Sequence, residues 1–250
     1  MQVFAVIPAY NESPNYYQPS SLDLVIESFG YAKNKDSRIK SIIVVNDGST
    51  DFTAQRLANY KPEIEVLHHS RNLGKLEAFL TAARKVYKEI LEEHKDPLET
   101  IILISDADIY IKPEDIKKII DKISPLSIDM VICTYKQGED ICPPIFSGLR
   151  AIRFSSLMLW LDKSHKDYNL WQTILKPNYF DISEKRQATI GYSLETFLEG
   201  LILIYDLNVS ILDLDINSRP RGLGPCNLDE INLGIEWASS LLYNTFSISI

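Results

Sequence analysis

The chain has 250 residues, with 45% hydrophobic and 24% charged side chains, a formal net charge of -8 and a pI near 5.1. That length and composition suit one large α/β domain, and the acidic balance excludes bulk nucleic-acid binding because phosphates would be repelled. Three cysteines, Cys133, Cys142 and Cys226, contain no Cys-x-x-Cys pair and no even framework, so a reduced, cytoplasmic protein is expected.

Taken in chain order, the first half alternates. VFAVIPA (3–9) is a continuous apolar run that reads as a buried strand, and SLDLVIESFGYA (21–32) has helical spacing at Leu22, Val25, Ile26 and Phe29. SIIVVND (41–47) is a second strand. GSTDFTAQRLANY (48–60) turns into a helix that Ser49, Thr50 or Asp51 can cap. EVLHHS (65–70), KLEAFLTAARKVYKEILEEH (75–94), TIILISDAD (100–108) and PEDIKKIIDKI (113–123) continue as strand, helix, strand and helix. Four such alternations with short connections predict a mainly parallel sheet flanked by helices, with ligands gathered beyond the carboxyl ends of the strands. Asp47, Asn72 and Asp106 all follow apolar runs and belong at that edge.

The second half is less regular. DMVICTY (129–135) reads as a strand, PPIFSGLRAIRFSSLMLWL (143–161) as a loop entering a helix, GYSLETFLEGLILIY (191–205) as a helix and NVSILDLDI (208–216) as a strand. Residues 162–192 are polar and aromatic with little periodicity, SRPRGLGP (218–225) is a basic turn, and LDEINLGIEWASSLL (228–242) reads as a closing helix. The first residues have no basic stretch and are cut at Pro8, so they do not read as a signal peptide, and no run of about 18 apolar residues predicts a spanning helix.

Asp106 and Asp108 sit two apart just after a strand. In an extended segment they would aim their carboxylates to one face, which is costly without a cation between them. Mg²⁺ or Mn²⁺ suits such oxygens, although an isolated Asp-x-Asp fits a solvated turn or helix cap equally well. Asp47, before Gly48, is a candidate acceptor for a base or ribose, or the first residue of a plain turn. Asn72, Gly74 and Lys75 open a helix, where N–H groups and a cation favour an anionic ligand. Lys75 alone is also a common exposed lysine.

VIPAYNE, VVNDGSTD, RNLGK and SDAD, in this order, resemble the family-2-type nucleotide-sugar glycosyltransferases of the GT-A fold, over about residues 3–110. The resemblance implies a Rossmann-like GT-A domain spanning 1–250, with a nucleotide-sugar half (1–110) and an acceptor half (111–250). It implies that Pro8, Ala9, Tyr10, Glu12 and Asp47 surround the nucleoside of a UDP- or GDP-sugar. Lys75 and Asp106 would hold base, ribose or phosphate, and Asp108, beside Asp106, would carry Mg²⁺ or Mn²⁺ on the diphosphate. FSGLRAIR (146–153) resembles a segment of relatives that act on polyprenyl phosphate or other phosphorylated acceptors. On a helix, Arg150 and Arg153 beside Gly148 would share a face and clamp a phosphate, or form a solvated basic face.

GKLEA (74–78) and GYSLET (191–196) resemble segments of the glucosyl-3-phosphoglycerate synthase group. That group completes its metal site with a His after the last sheet strand. INSRPRG (216–222) has none, which leaves Arg219 or Arg221 to meet the diphosphate. Glu195 and Asp181 are candidate bases for a hydroxyl acceptor, Glu195 being equally suited to pair with an Arg; a phosphate acceptor needs no base. His68, His69 and the three tryptophans read as packing groups, and Tyr168, Trp171 and Tyr179 as packing or groove residues.

The expected activity is thus hexosyl transfer from a nucleoside-diphosphate sugar to a small-molecule or lipid-phosphate acceptor, by a protein that touches the membrane only peripherally. Two rivals remain: a nucleotidyltransferase, disfavoured because PAYNES replaces a Gly-rich phosphate loop, and a sugar-nucleotide-binding domain without activity.

Overall fold

The computed structural model describes residues 1–137, 140–142, 144, 147–161 and 193–218. Strand β1 is Gln2–Ala9, helix α1 Ser21–Lys35, β2 Ile39–Asn46, α2 Thr53–Ala58, β3 Glu65–His68, α3 Lys75–Glu92, β4 Thr100–Ile104 and α4 Pro113–Ile123. Then follow β5 Met130–Gln137, β6 Asp140–Ile141, β7 Arg150–Arg153, α5 Met158–Leu161, α6 Ser193–Tyr205 and β8 Val209–Ser218.

These strands form one sheet in the order β3-β2-β1-β4-β7-β5-β6, with β8 paired to β5. The pairs β1–β2, β1–β4, β2–β3 and β5–β8 are parallel, whereas β7 runs antiparallel to both β4 and β5. The mainly parallel α/β sheet expected from the alternation is present, with one reversed strand inserted in its middle. Residues 150–153, which the sequence places in a loop entering a helix, are that strand.

β1 is central, so its residues are buried on both faces and no alternation shows. Val3, Ala5 and Ile7 join α1 and α4 in one core; Phe4 and Val6 join α3 and α6 in the other. Helix starts follow local chemistry. Ser20 caps α1 through a capping box with Asp23, and Pro113 occupies the first turn of α4. No helix among the described residues is long and apolar enough to cross a membrane.

Candidate active site

The carboxyl edge of β1 and β2 carries two loops bound to each other. The Asn11 amide donates to Ser49 Oγ (3.0 Å) and the Thr50 amide to Asn11 Oδ1 (2.8 Å). The Glu12 amide donates to Thr53 Oγ1 (2.8 Å) and the Ser13 amide to Asp51 Oδ2 (2.8 Å). Asn11 holds a left-handed φ of 54°, a conformation Asn tolerates better than most residues. Around this rim, Ala9 is buried, Pro8 and Glu12 are half-buried, and Tyr10 is 40% exposed. Arg56 fastens the next segment: its guanidinium donates to Ser13 Oγ, Asp23 Oδ2 and the carbonyls of Asn15, Tyr16 and Gln18. Sequence reading missed Arg56, since an Arg inside a short helix carries no local signal of burial.

Asp47 has a task the sequence did not reveal. Its carboxylate accepts from the amides of Leu73 and Gly74 (2.8 Å each) and bonds His69 Nδ1 (2.7 Å), with its side chain 4% exposed. His69 also reaches Thr81 Oγ1 (2.9 Å) on α3. Asp47 thus ties the β3–α3 connection to the end of β2. Gly48 permits the approach: its φ is +67°, and a Cβ there would lie 2.1 Å from the Arg71 carbonyl carbon.

This connection delivers Lys75 as the first residue of α3. Its ammonium lies 2.5 Å from Asp106 Oδ1 and contacts Glu195 Oε1 of α6, 120 residues away in sequence. Burial would depress the Lys75 pKa, but the charges of Asp106 and Glu195 more than offset it, so the net shift is upward. Burial, aided by Asp106, pushes the Glu195 carboxyl upward against the lowering effect of Lys75. Glu195 is 3% exposed, and its Oε2 has no hydrogen-bond partner among the described residues. It pairs with a lysine, not with the arginine that the sequence suggests.

Asp106 and Asp108 lie in a turn, not in extended chain, with the Ile109 amide bonded to the Asp106 carbonyl (3.4 Å). The same-face argument from strand alternation therefore does not apply to them. Both acids nonetheless act on one neighbour: burial first, then the charges of Asp106 and Asp108 among others, push the buried Tyr135 hydroxyl upward in pKa. Asp106 Oδ1 is a buried oxygen whose close neighbour is the Lys75 ammonium at 2.5 Å. The half-buried carboxylates of Asp106 and Asp108, in one turn, offer hard oxygens of the kind that Mg²⁺ or Mn²⁺ takes. Among the described residues no group of three acidic, His or Cys side chains could hold an ion.

The arginine clamp is corrected. Arg150 and Arg153 stand on β7, where residues three apart point to opposite faces, and each is 1% exposed. Arg153 donates to the carbonyls of Leu98, Ile123, Pro125 and Ile128, a wholly structural use. Arg150 donates to the carbonyls of Ser147 and Pro144 and to Glu199 Oε1 (2.9 Å). Gly148 abuts the Asp106 carboxylate. Arg219, Arg221, Asp181, Tyr168, Trp171 and Tyr179 lie outside the described residues.

Comparison with known proteins agrees with this architecture. The model of glycosyl transferase family 2 matches residues 4–181. Dolichyl-phosphate beta-glucosyltransferase ALG5A of Trichomonas vaginalis is 32% identical over 128 residues, 48% of this chain and 35% of that protein. ALG5C of the same organism is 31% identical over 129 residues, 49% and 34% of the respective chains. The match thus spans about a third of the length of these curated relatives.

Among solved structures, mannosyl-3-phosphoglycerate synthase from Rubrobacter xylanophilus superposes with a TM-score of 0.64 at 15% identity, over 98% of this chain and 75% of that one. Glucosyl-3-phosphoglycerate synthase from Mycobacterium tuberculosis, solved with Mn²⁺, uridine diphosphate and glucosyl-3-phosphoglycerate, gives 0.55 at 17%, over 97% and 79%. These likenesses establish the GT-A fold. With its family model covering well over half of the sequence, the chain belongs to glycosyl transferase family 2.

Proposed function

We propose that this protein transfers a hexose from a nucleoside-diphosphate sugar to a phosphorylated acceptor. The observation that carries the reading is the convergence of Lys75, Asp106 and Glu195, with Asp108 in the same turn as Asp106, beside the bound loops after β1 and β2. Pro8, Ala9, Tyr10 and Glu12 would border the nucleoside. The diphosphate would lie at the amino end of α3, where backbone amides and Lys75 favour negative charge. Asp108, with Asp106, would hold Mg²⁺ or Mn²⁺, which when bound neutralises charge on the departing diphosphate. Mn²⁺ accompanies uridine diphosphate in the glucosyl-3-phosphoglycerate synthase structure, which supports this choice of ion.

The chain's own groups prepare the rest. Breaking the sugar–phosphate bond builds negative charge on the leaving oxygen, and Lys75 is a preplaced, raised-pKa cation at the required edge. Glu195 holds Lys75 through Oε1, while Oε2 is left to accept a hydrogen bond from a substrate hydroxyl. Burial, the first cause, raises its pKa above the ordinary carboxyl value, against the lowering effect of Lys75.

The acceptor half is residues 111–250, where Arg219 and Arg221 would add positive charge. A polyprenyl phosphate is the favoured acceptor, because the sequence relatives are named for dolichyl phosphate. Such an acceptor implies peripheral contact with a membrane from the cytoplasmic side. A small phosphorylated metabolite is the second reading, supported by the fold neighbours' phosphoglycerate substrates.

Calorimetry with UDP and GDP, with and without Mn²⁺, tests the donor site. Metal-dependent binding of one of them is expected, and absence of binding by both refutes the donor reading. Asp108→Ala should abolish metal-dependent donor turnover with the thermal midpoint retained; unchanged turnover removes Asp108 from the metal site. Transfer assays with a short-chain polyprenyl phosphate and with 3-phosphoglycerate separate the two acceptors.

A further inference from the structure

The Ser-Gly-x-Arg turn, residues 147–150, begins the reversed strand β7. In the β4–β7 ladder Ile101 pairs with Arg153, Ile102 with Ile152, Leu103 with Ala151 and Ile104 with Arg150. Carried two residues beyond the ladder, this register sets Asp106 opposite Gly148. The side-chain geometry agrees: a Cβ on Gly148 would fall 1.9 Å from Asp106 Oδ2, 2.3 Å from its Cγ and 2.6 Å from Oδ1. The carboxylate occupies the volume that any other residue at 148 would fill.

The turn itself is fixed. Arg150 Nε donates to the Ser147 carbonyl (2.9 Å), Nη2 to Pro144 (3.0 Å), and the Leu149 amide to Ser147 Oγ (3.2 Å). Arg150 Nη1 extends the fixation to Glu199 Oε1, one helical turn beyond Glu195 on α6. One buried guanidinium therefore joins the turn against Asp106 to the helix that carries Glu195.

We infer that this turn is a positioning device for the Lys75–Asp106–Glu195 cluster and not an acceptor-phosphate clamp: Gly148 leaves room for the Asp106 carboxylate, and Arg150 locks the turn to α6. The inference rests on the family-2 reading of the site only for its catalytic consequence. The steric pairing of Gly148 with Asp106 stands apart from that reading.

A thermal double-mutant cycle over Gly148→Ala and Asp106→Ala tests the pairing. Gly148→Ala in the wild-type background should lower the melting temperature by about 2–12 °C, as overpacking in a chain of this size does. In the Asp106→Ala background, which removes the carboxylate, the same change should cost less than about half of that. Equal shifts in both backgrounds overturn the pairing. If Gly148→Ala alone yields no folded protein, recovery of folding in the double variant supports it and continued failure refutes it.

The catalytic consequence is read by titrating Mn²⁺ in the presence of UDP. Gly148→Ala and Arg150→Met should each weaken Mn²⁺ binding by tenfold or more, with the Michaelis constant for the acceptor phosphate nearly unchanged. Intact Mn²⁺ binding with a Michaelis constant raised tenfold or more returns the turn to acceptor recognition. Should the wild-type protein bind no Mn²⁺ with UDP, the donor-site reading fails and the thermal cycle still judges the pairing.

Discussion

Replacing Lys75 by methionine removes the cation between Asp106 and Glu195. The Lys75, Asp106 and Glu195 side chains are 18%, 27% and 3% exposed, so Glu195 is the carboxylate with no access to water. Breaking a buried pair by deleting one partner typically costs about 3–5 kcal/mol. Glu195 has one escape, which is to take up a proton. From an ordinary carboxyl value of 4.5, neutralisation at pH 7 costs about 3.4 kcal/mol and at pH 5 about 0.7 kcal/mol. The loss is therefore capped near 3 kcal/mol at pH 7, which lowers the melting temperature by about 6–12 °C in a chain of this size.

The sign follows from proton binding. With its folded pKa raised, Glu195 in Lys75→Met holds more protons in the native than in the unfolded state between the two pKa values, so stability rises as pH falls. The gap between variant and wild type should shrink to about 1 kcal/mol at pH 5. Urea unfolding followed by intrinsic fluorescence at pH 7 and pH 5 measures both numbers. Adding Glu195→Gln to Lys75→Met should recover most of the loss at pH 7. A loss below about 1 kcal/mol at pH 7, or a gap that does not narrow in acid, would refute the electrostatic account of this cluster.

Three further outcomes are expected. Asp47→Ala strands the Leu73 amide and leaves the Gly74 amide with Asn72 Oδ1 alone; it should cost about 1–3 kcal/mol in urea unfolding and weaken UDP binding through the displaced start of α3. Arg153→Met removes the guanidinium from four carbonyls, of which Pro125 keeps the Ile128 amide, and should destabilise by about 2–4 kcal/mol without a specific effect on the acceptor Michaelis constant; Arg153→Lys should not rescue, since one ammonium cannot reproduce the planar fork. Gly48→Ala meets backbone, not a movable side chain, and has φ +67°, so a loss of about 2 kcal/mol or more is expected by thermal denaturation.

The strand–helix alternation of residues 2–123 was legible because each element announces itself locally. Buried strands are continuous apolar runs, α3 and α4 carry apolar stripes, and Ser20 and Pro113 mark helix starts. The edge position of Asp47, Asn72 and Asp106 followed from the same alternation, and Lys75 reads as opening a helix. The segment RAIR at 150–153 was not legible, because four residues with charge at both ends fit a helical turn and a short buried strand equally well.

Sequence alone determined the family, the βα frame and the edge at which the acids collect, since those depend on short-range periodicity and on motif order. Tertiary structure alone decided that β7 runs backward beside β4, that Gly148 meets Asp106, and that Glu195 reaches Lys75 across 120 residues. It also decided that both arginines of β7 are buried. Local propensity does not encode pairing between distant segments; only the assembled sheet chooses which strand fills the place beside β4, and with that choice every side chain on it receives its neighbour.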